Sequence, residues 1–181
     1  MFVYEVDEEI ILKMMNTMNA ERLFEITDRS RDYLKEWLPW LDHTTKVEHS
    51  KHFIEQAFQS HADRRALISG IFYHNELVGV ISYNYFDWTN RIGYIGYWLD
   101  QHYQGKGIIT RSVHALIDYG FDVLKLNRID IRAAVENQAS RAVPERLGFK
   151  REGVLRQSEW LYDHYVDHVV YSMLAHEWQD K

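Results

Sequence analysis

The segment from residue 91 to residue 135 constrains the fold more than any other part of the chain. Residues 91–99 are rich in aromatic and aliphatic side chains, as in a strand, and a short Gly-rich run occupies residues 104–110. Apolar side chains then recur at helical spacing over residues 109–124, and residues 128–135 alternate apolar with polar. A strand, loop, helix and strand in this order predict a βαβ unit whose two strands run parallel.

The Gly-rich run suits the binding of a phosphate. Gly105 and Gly107 carry no side chain, so the main chain can approach a ligand closely there. The helix that follows offers N–H groups without internal partners, and its dipole favours an anion. Such a loop could also be a simple tight turn, but its place between a strand and a helix favours the phosphate. Lys106 is either a further phosphate contact or a surface charge.

The rest of the chain predicts an α+β fold in one domain that spans residues 1–181. A helix is expected to begin at Ala20, and another to follow Asn137 and end at Leu147, with Gly148 just beyond its last turn. Strands are expected over five further ranges, namely 10–14, 66–73, 77–86 and, as a terminal hairpin, 154–160 with 165–174.

Composition excludes several functional classes. The net charge is −6 and the pI about 5.9, which disfavours binding of nucleic acid through the overall field and mildly favours a cationic partner. The chain has no cysteine, so thiolate catalysis, disulfides and Cys-type zinc sites are excluded. No apolar run approaches the length of a membrane helix, and the first ten residues lack a secretion signal. We therefore expect a cytoplasmic protein.

Together these segments resemble the GNAT family of acyl-CoA-dependent N-acetyltransferases, over about residues 10–174. The family's phosphate pattern, Gln/Arg-x-x-Gly-x-Gly/Ala, is similar to residues 104–109, with Ile109 in place of the usual Gly or Ala. A second family element, Asn and Ser followed by Leu-Gly-Phe, is similar to residues 137–149. Residues 96–100 and 152–159 further resemble the RimL-type branch, whose members acetylate the N-terminal serine of a ribosomal protein. The resemblance implies a mixed, mostly antiparallel sheet with helices on both faces.

The resemblance also implies which residues act. Main-chain amides of residues 105–110 would hold the pyrophosphate of acetyl-CoA. Asn137 and the main chain of Trp98 and Leu99 would contact its pantetheine arm. Ser140 would stand near the sulfur and protonate the leaving thiolate, and Glu159 would accept the amine proton through a water. The implied cofactor-binding residues are Trp98, Leu99, Gln104, Gly105, Lys106, Gly107, Ile108, Ile109, Thr110, Asn137 and Ser140.

Simpler explanations exist for several of these residues. Ser140 could bond only to its own helix, whose regularity Pro144 interrupts, and Glu159 could be a solvent-facing strand residue. The aromatic residues Tyr33, Trp37 and Trp40 either line a substrate groove or, as we favour, pack in the core. Ten histidines have no acidic partners at ligand spacing, so we expect no metal.

Three functional hypotheses follow. The first is acetyl transfer to the N-terminal amine of a protein, with a ribosomal protein as the first candidate. The second is transfer to a small amine such as a polyamine or an aminoglycoside. The third is a CoA-binding sensor that performs no transfer, which the joint presence of Ser140 and Glu159 disfavours. The high share of aromatic residues makes a homodimer reasonable.

Overall fold

The computed structural model describes residues 1–179. Within these residues, eight strands form one sheet in the order β1-β2-β3-β4-β5-β6-β8-β7. Neighbouring strands are antiparallel except β5 and β6, which are parallel. The strands are β1 Val3–Glu5, β2 Ile10–Lys13, β3 Leu67–Tyr73, β4 Glu76–Asp87, β5 Ile92–Leu99, β6 Arg128–Ala134, β7 Lys150–Leu161 and β8 His164–Leu174.

Helices cover both faces of the sheet. They are α1 Ala20–Arg29, α2 Arg31–Lys35, α3 Val47–Ala62, α4 Ile108–Asp118, α5 Gln138–Arg146 and α6 Ala175–Gln179. One core cluster joins α1 and α3 to the sheet through Leu23, Ile54 and Val80, and a larger one lies against α4 and α5. The predicted sheet, with its parallel pair and its helices on both faces, is therefore confirmed.

The helix after the Gly-rich run ends earlier than its apolar spacing predicts. It is α-helical only to Asp118 and continues as a π turn over Tyr119–Val123. The buried hydroxyl of Tyr83 donates a hydrogen bond to the carbonyl of Leu116 at 2.8 Å. Just beyond this bond the pairing changes to that of a π turn, in which the amide of Leu124 donates to the carbonyl of Tyr119.

The helix α5 begins and ends as its sequence predicts. The Asn137 side chain accepts a hydrogen bond from the amide of Ser140 at 3.1 Å, which caps the first turn. At the other end Gly148 has a φ of +74°, and the amides of Gly148 and Phe149 donate to the carbonyls of Glu145 and Pro144. This pair of bonds is a Schellman motif, which favours glycine at the left-handed position.

Candidate active site

A gap opens in the middle of the sheet where the two parallel strands separate. The strands β5 and β6 pair only from Ile92 with Arg128 to Ile95 with Ile131. Beyond that point β5 continues to Leu99 paired with β4, while β6 continues to Ala134 paired with β8. The last four residues of β5 therefore have one unpaired edge, which can bind another extended chain.

The main-chain groups that point into this gap belong to Tyr97 and Leu99. The amide of Asp100 donates to the carbonyl of Val78 at 2.8 Å, which marks a hydrogen-bonded pair of β5 and β4. Because such pairs alternate along an antiparallel ladder, the main chain of Trp98 points to β4, as does that of Asp100. The contact of the Trp98 main chain with pantetheine stays a prediction; this main chain points to β4, whereas that of Tyr97 faces the gap beside Leu99.

The Gly-rich loop has the geometry of an anion site. Gly105 and Gly107 have φ values of +76° and +70°, and apart from each glycine and its two chain neighbours no atom of the described residues lies within 4 Å of where a Cβ would stand. The first internal hydrogen bond of α4 joins the amide of Arg111 to the carbonyl of Gly107. The three preceding amides, those of residues 108–110, consequently have no acceptor within residues 1–179. They are available to a phosphate.

One cleft of about 1080 Å³ connects this loop with the gap in the sheet. It is lined by nearly every residue that the sequence placed in the site. These are Trp98, Leu99, Gln104, Gly105, Gly107, Ile108, Ile109, Thr110, Asn137, Ser140 and Glu159. The fold thus brings together residues that lie more than 60 positions apart in the chain.

Lys106 of the loop lies outside the cleft, and Arg146 of α5 lines it instead. Lys106 does not line the cleft; its ammonium group lies 5.5 Å and 5.6 Å from the ring centres of Tyr73 and Tyr103. Arg146, in the last turn of α5, lines the cleft and donates to the hydroxyl of Thr110 at 2.9 Å. The cation that lines the cleft beside the loop is therefore Arg146, which no local sequence signal indicated, while the phosphate contact of Lys106 stays a prediction.

Ser140 is held by both of its main-chain groups. Its amide is bonded to the cap residue Asn137, and its carbonyl accepts a hydrogen bond of 2.7 Å from the hydroxyl of Tyr97. Pro144 has no amide to give to this carbonyl, so the helix leaves it free for Tyr97. Burial raises the pKa of Tyr97 well above its ordinary value, so the phenol stays protonated and remains a donor.

Glu159 and His168 face each other across the hairpin of β7 and β8. The Nε2 atom of His168 lies 3.7 Å from Oε1 of Glu159, and the glutamate side chain is 31% exposed. Both residues line the cleft, together with Ser158. A partly exposed carboxylate at this position can take up a proton through a water molecule.

Aromatic residues from the early helical segment also line the cleft. Tyr33, Trp37 and Trp40 are only partly buried and line the cleft, and the ring of Trp40 lies 6.0 Å from that of Trp98. The prediction that these early aromatic residues pack in the core is therefore wrong. Their segment, residues 33–40, is called the aromatic wall below.

Residues 1–179 contain no cluster of three or more His, Asp or Glu side chains placed to hold a metal ion. Within the same residues no helix is long and apolar enough to cross a lipid bilayer.

The acetyltransferase (GNAT) domain model matches residues 9–150, most of the chain. The chain belongs to the GNAT family. It is therefore an acyltransferase that uses acetyl-CoA as its co-substrate. The putative ribosomal N-acetyltransferase YdaF of Bacillus subtilis is 37% identical over 99% of this chain and 98% of its own length. The ribosomal-protein-serine acetyltransferase of Escherichia coli is 32% identical over 94% of this chain and 95% of its own.

Solved structures of similar proteins contain the cofactor. RimL, the ribosomal L7/L12 α-N-protein acetyltransferase, was solved with coenzyme A; it has a TM-score of 0.92 and 30% identity over 96% of this chain and 98% of its own. The microcin C7 self-immunity acetyltransferase MccE, solved with acetyl-CoA and AMP, has a TM-score of 0.90 and 34% identity over 93% of this chain and 94% of its own. The predicted family, fold and co-substrate are all confirmed.

Proposed function

We propose that this GNAT enzyme acetylates the N-terminal α-amine of a protein, with a ribosomal protein as the first candidate acceptor. Two similar proteins are named for that reaction, the serine acetyltransferase of E. coli and RimL. The observation that carries the proposal is the single cleft, which joins the free amides of α4 to the carboxylate of Glu159 through the gap in the sheet.

The chemistry of the site suits an α-amine. Attack on a thioester requires an uncharged amine, and an α-amine with a pKa of about 8 is uncharged in a sizeable fraction of molecules near neutral pH. A lysine amine, with a pKa of about 10.4, is uncharged in only roughly one molecule in a thousand. A carboxylate that acts through water, as Glu159 does in this proposal, is an adequate base for the first and a poor one for the second.

Each residue has one role in the proposed reaction. Amides of the loop hold the pyrophosphate, and Tyr97 and Leu99 pair with the pantetheine arm through their main chains. The amine nitrogen attacks the thioester carbon, and Glu159 receives the proton that this nitrogen loses. The carbon–sulfur bond then breaks, and the hydroxyl of Ser140 gives a proton to the departing thiolate and regains one from solvent water. Oriented groups of this kind lower the barrier without a covalent intermediate.

A small amine is the second candidate acceptor. MccE, which was solved with acetyl-CoA and AMP, resembles this chain as closely as RimL does. The aromatic wall, with Tyr33, Trp37 and Trp40, could stack against a planar ring as readily as against a peptide.

The test is acetylation of a matched set of acceptors with labelled acetyl-CoA. One peptide has a free N-terminal serine and no lysine; its partner has a blocked N-terminus and one internal lysine. A polyamine, an aminoglycoside and buffer alone complete the set. We expect thiol release with the first peptide only. Turnover confined to a small amine would replace the protein acceptor by the second candidate, and tight CoA binding without any turnover would support a sensor.

The wider assignments complete the proposal. Residues 1–181 act as one domain, and a ribosomal acceptor places the enzyme in the cytoplasm. A homodimer is supported by exposed apolar side chains on β7 and β8, of which Trp160 is 52% and Tyr165 56% exposed. Light scattering during gel filtration measures its mass directly.

A further inference from the structure

The carboxylate of Asp100 is completely buried beside the cofactor loop. It is the first residue after β5, so it stands at the base of the loop that leads to α4. Four donors surround it. Its Oδ1 atom accepts hydrogen bonds from the hydroxyl of Ser30 at 3.0 Å and from the amide of His102 at 3.1 Å, and the ring Nδ1 of His102 lies 2.9 Å from the same atom. Its Oδ2 atom accepts two hydrogen bonds from the guanidinium of Arg29.

A buried charge of this kind is costly unless every lone pair is used. Burial raises the pKa of Asp100, but the bonds from Arg29, His102 and Ser30 outweigh it and hold the pKa below its ordinary value. The group is thus an anion at neutral pH, with its charge balanced by Arg29. Neither Asp100 nor Arg29 lines the cleft, so the proposed reaction does not use them.

The bonds around Asp100 join two parts of the active site. On one side lies Gln101, at the start of the cofactor loop. The main-chain amide of Gln101 donates to the hydroxyl of Ser30 at 3.2 Å, and the side chain of Gln101 donates to the carbonyl of Arg29 at 3.1 Å. On the other side lies Ser30 itself, the residue at which α1 ends and α2 begins. The helix α2 leads directly into the aromatic wall.

A second contact joins the same two parts closer to the cleft. Burial raises the pKa of the Tyr33 phenol of the aromatic wall overall, but the side chain of Gln104, which precedes the first loop glycine, lies close enough to that hydroxyl to lower the pKa in part. The loop and the wall are therefore joined by buried hydrogen bonds at Ser30 and approach each other again at Tyr33 and Gln104.

We propose that Asp100 is a positioning residue for both substrates. Its carboxylate sets the direction of the loop amides that bind acetyl-CoA, and through Ser30 it sets the place of the aromatic wall against which the acceptor lies. It touches neither substrate. Loss of its bonds therefore weakens the binding of both, while the reacting groups, which belong to other elements, keep their geometry.

The test compares Ser30→Ala and Asp100→Asn with a control. Ser30→Ala removes two hydrogen bonds but leaves the ion pair, whereas Asp100→Asn removes the charge. The control is Asp28→Asn, in the last turn of α1. It breaks an exposed ion pair, in which a guanidinium nitrogen of Arg31 lies 3.0 Å from the Asp28 carboxylate, and Asp28 has no contact with the loop. Thermal unfolding, calorimetric titration with coenzyme A, and steady-state kinetics with whichever amine the enzyme accepts are measured for each.

For Ser30→Ala we expect the Kd for coenzyme A and the KM for the acceptor each to rise about 3- to 10-fold, from the loss of two hydrogen bonds. Asp100→Asn has the larger effect on both. The kcat at saturation stays within about twofold of wild type for each variant, since no group in the transition state is removed. Asp28→Asn leaves all three constants unchanged.

Two results would overturn the proposal. If the melting temperature falls but neither binding constant moves, the buried carboxylate serves stability alone. If only the Kd for coenzyme A rises, the connection to the aromatic wall is refuted. Should Asp100→Asn not fold, Ser30→Ala decides the matter. The titration with coenzyme A needs no acceptor, so a wrong acceptor in the proposed function leaves this part of the test intact.

Discussion

Replacing Tyr97 by phenylalanine tests how the site holds Ser140. The change removes only the hydroxyl that donates to the Ser140 carbonyl at 2.7 Å. No other partner can take over from within the helix, because the residue that would supply the amide is Pro144. The carbonyl is left unpaired in a partly buried place, and the first turn of α5 loses its connection to β5.

The size of the effect follows from these contacts. A buried polar group without its partner costs about 1–3 kcal/mol, and Ser140 is only half-buried, so a loss of about 1–2 kcal/mol in unfolding free energy is expected. For a domain of this size that corresponds to a melting temperature lower by roughly 2–8 °C. A thiolate donor displaced by a fraction of an ångström lowers kcat by about tenfold, equivalent to about 1.4 kcal/mol. The Kd for coenzyme A changes little, because the loop amides are untouched.

The assay is single-turnover acetyl transfer, with thermal unfolding of the same samples. Tyr171→Phe is the matched control, since its buried hydroxyl donates to Glu145 on the same helix at 2.6 Å but has no contact with Ser140. We expect both variants to melt earlier and only Tyr97→Phe to lose rate. In a Ser140→Ala background, adding Tyr97→Phe should lower the rate no further. Equal rates for Tyr97→Phe and the control would refute the reasoning.

Three further predictions concern other parts of the chain. Gly107→Val should weaken coenzyme A binding at least tenfold by calorimetry, because a branched side chain is strained at a φ of +70° and occupies the anion site. The control Gly153→Val, at an open position with ordinary φ, should leave this binding unchanged. Glu159→Gln should lower kcat with little change in the Kd for coenzyme A; a wild-type rate would remove Glu159 from the mechanism. Hydrogen bonds from Arg128 and Ser172 lower the pKa of Glu152 to about 2 from an ordinary 4.5. The stability they provide is present above pH 4.5 and is lost as the pH falls towards 2, so melting curves of Glu152→Gln should depend less on pH in that window.

Local sequence was sufficient for the features that depend on neighbours in the chain. The glycines of the loop, the cap at Asn137 and the motif at Gly148 were all predictable, because each bond involved lies within one turn of the main chain. The order of strand, loop and helix also follows from side-chain periodicity alone. Together these features predicted the fold, the family and the co-substrate.

Other features depend on contacts between residues far apart in sequence, and only the tertiary structure decides them. The cation beside the loop is Arg146 rather than Lys106, because the last turn of α5 packs next to α4. Which main-chain groups of β5 are free depends on its ladder with β4, which assigns Tyr97 and Leu99 to the gap and Trp98 to the neighbouring strand. Side-chain type and spacing carry no information about such pairings, since the partners are brought together only when the sheet and its two helical layers assemble.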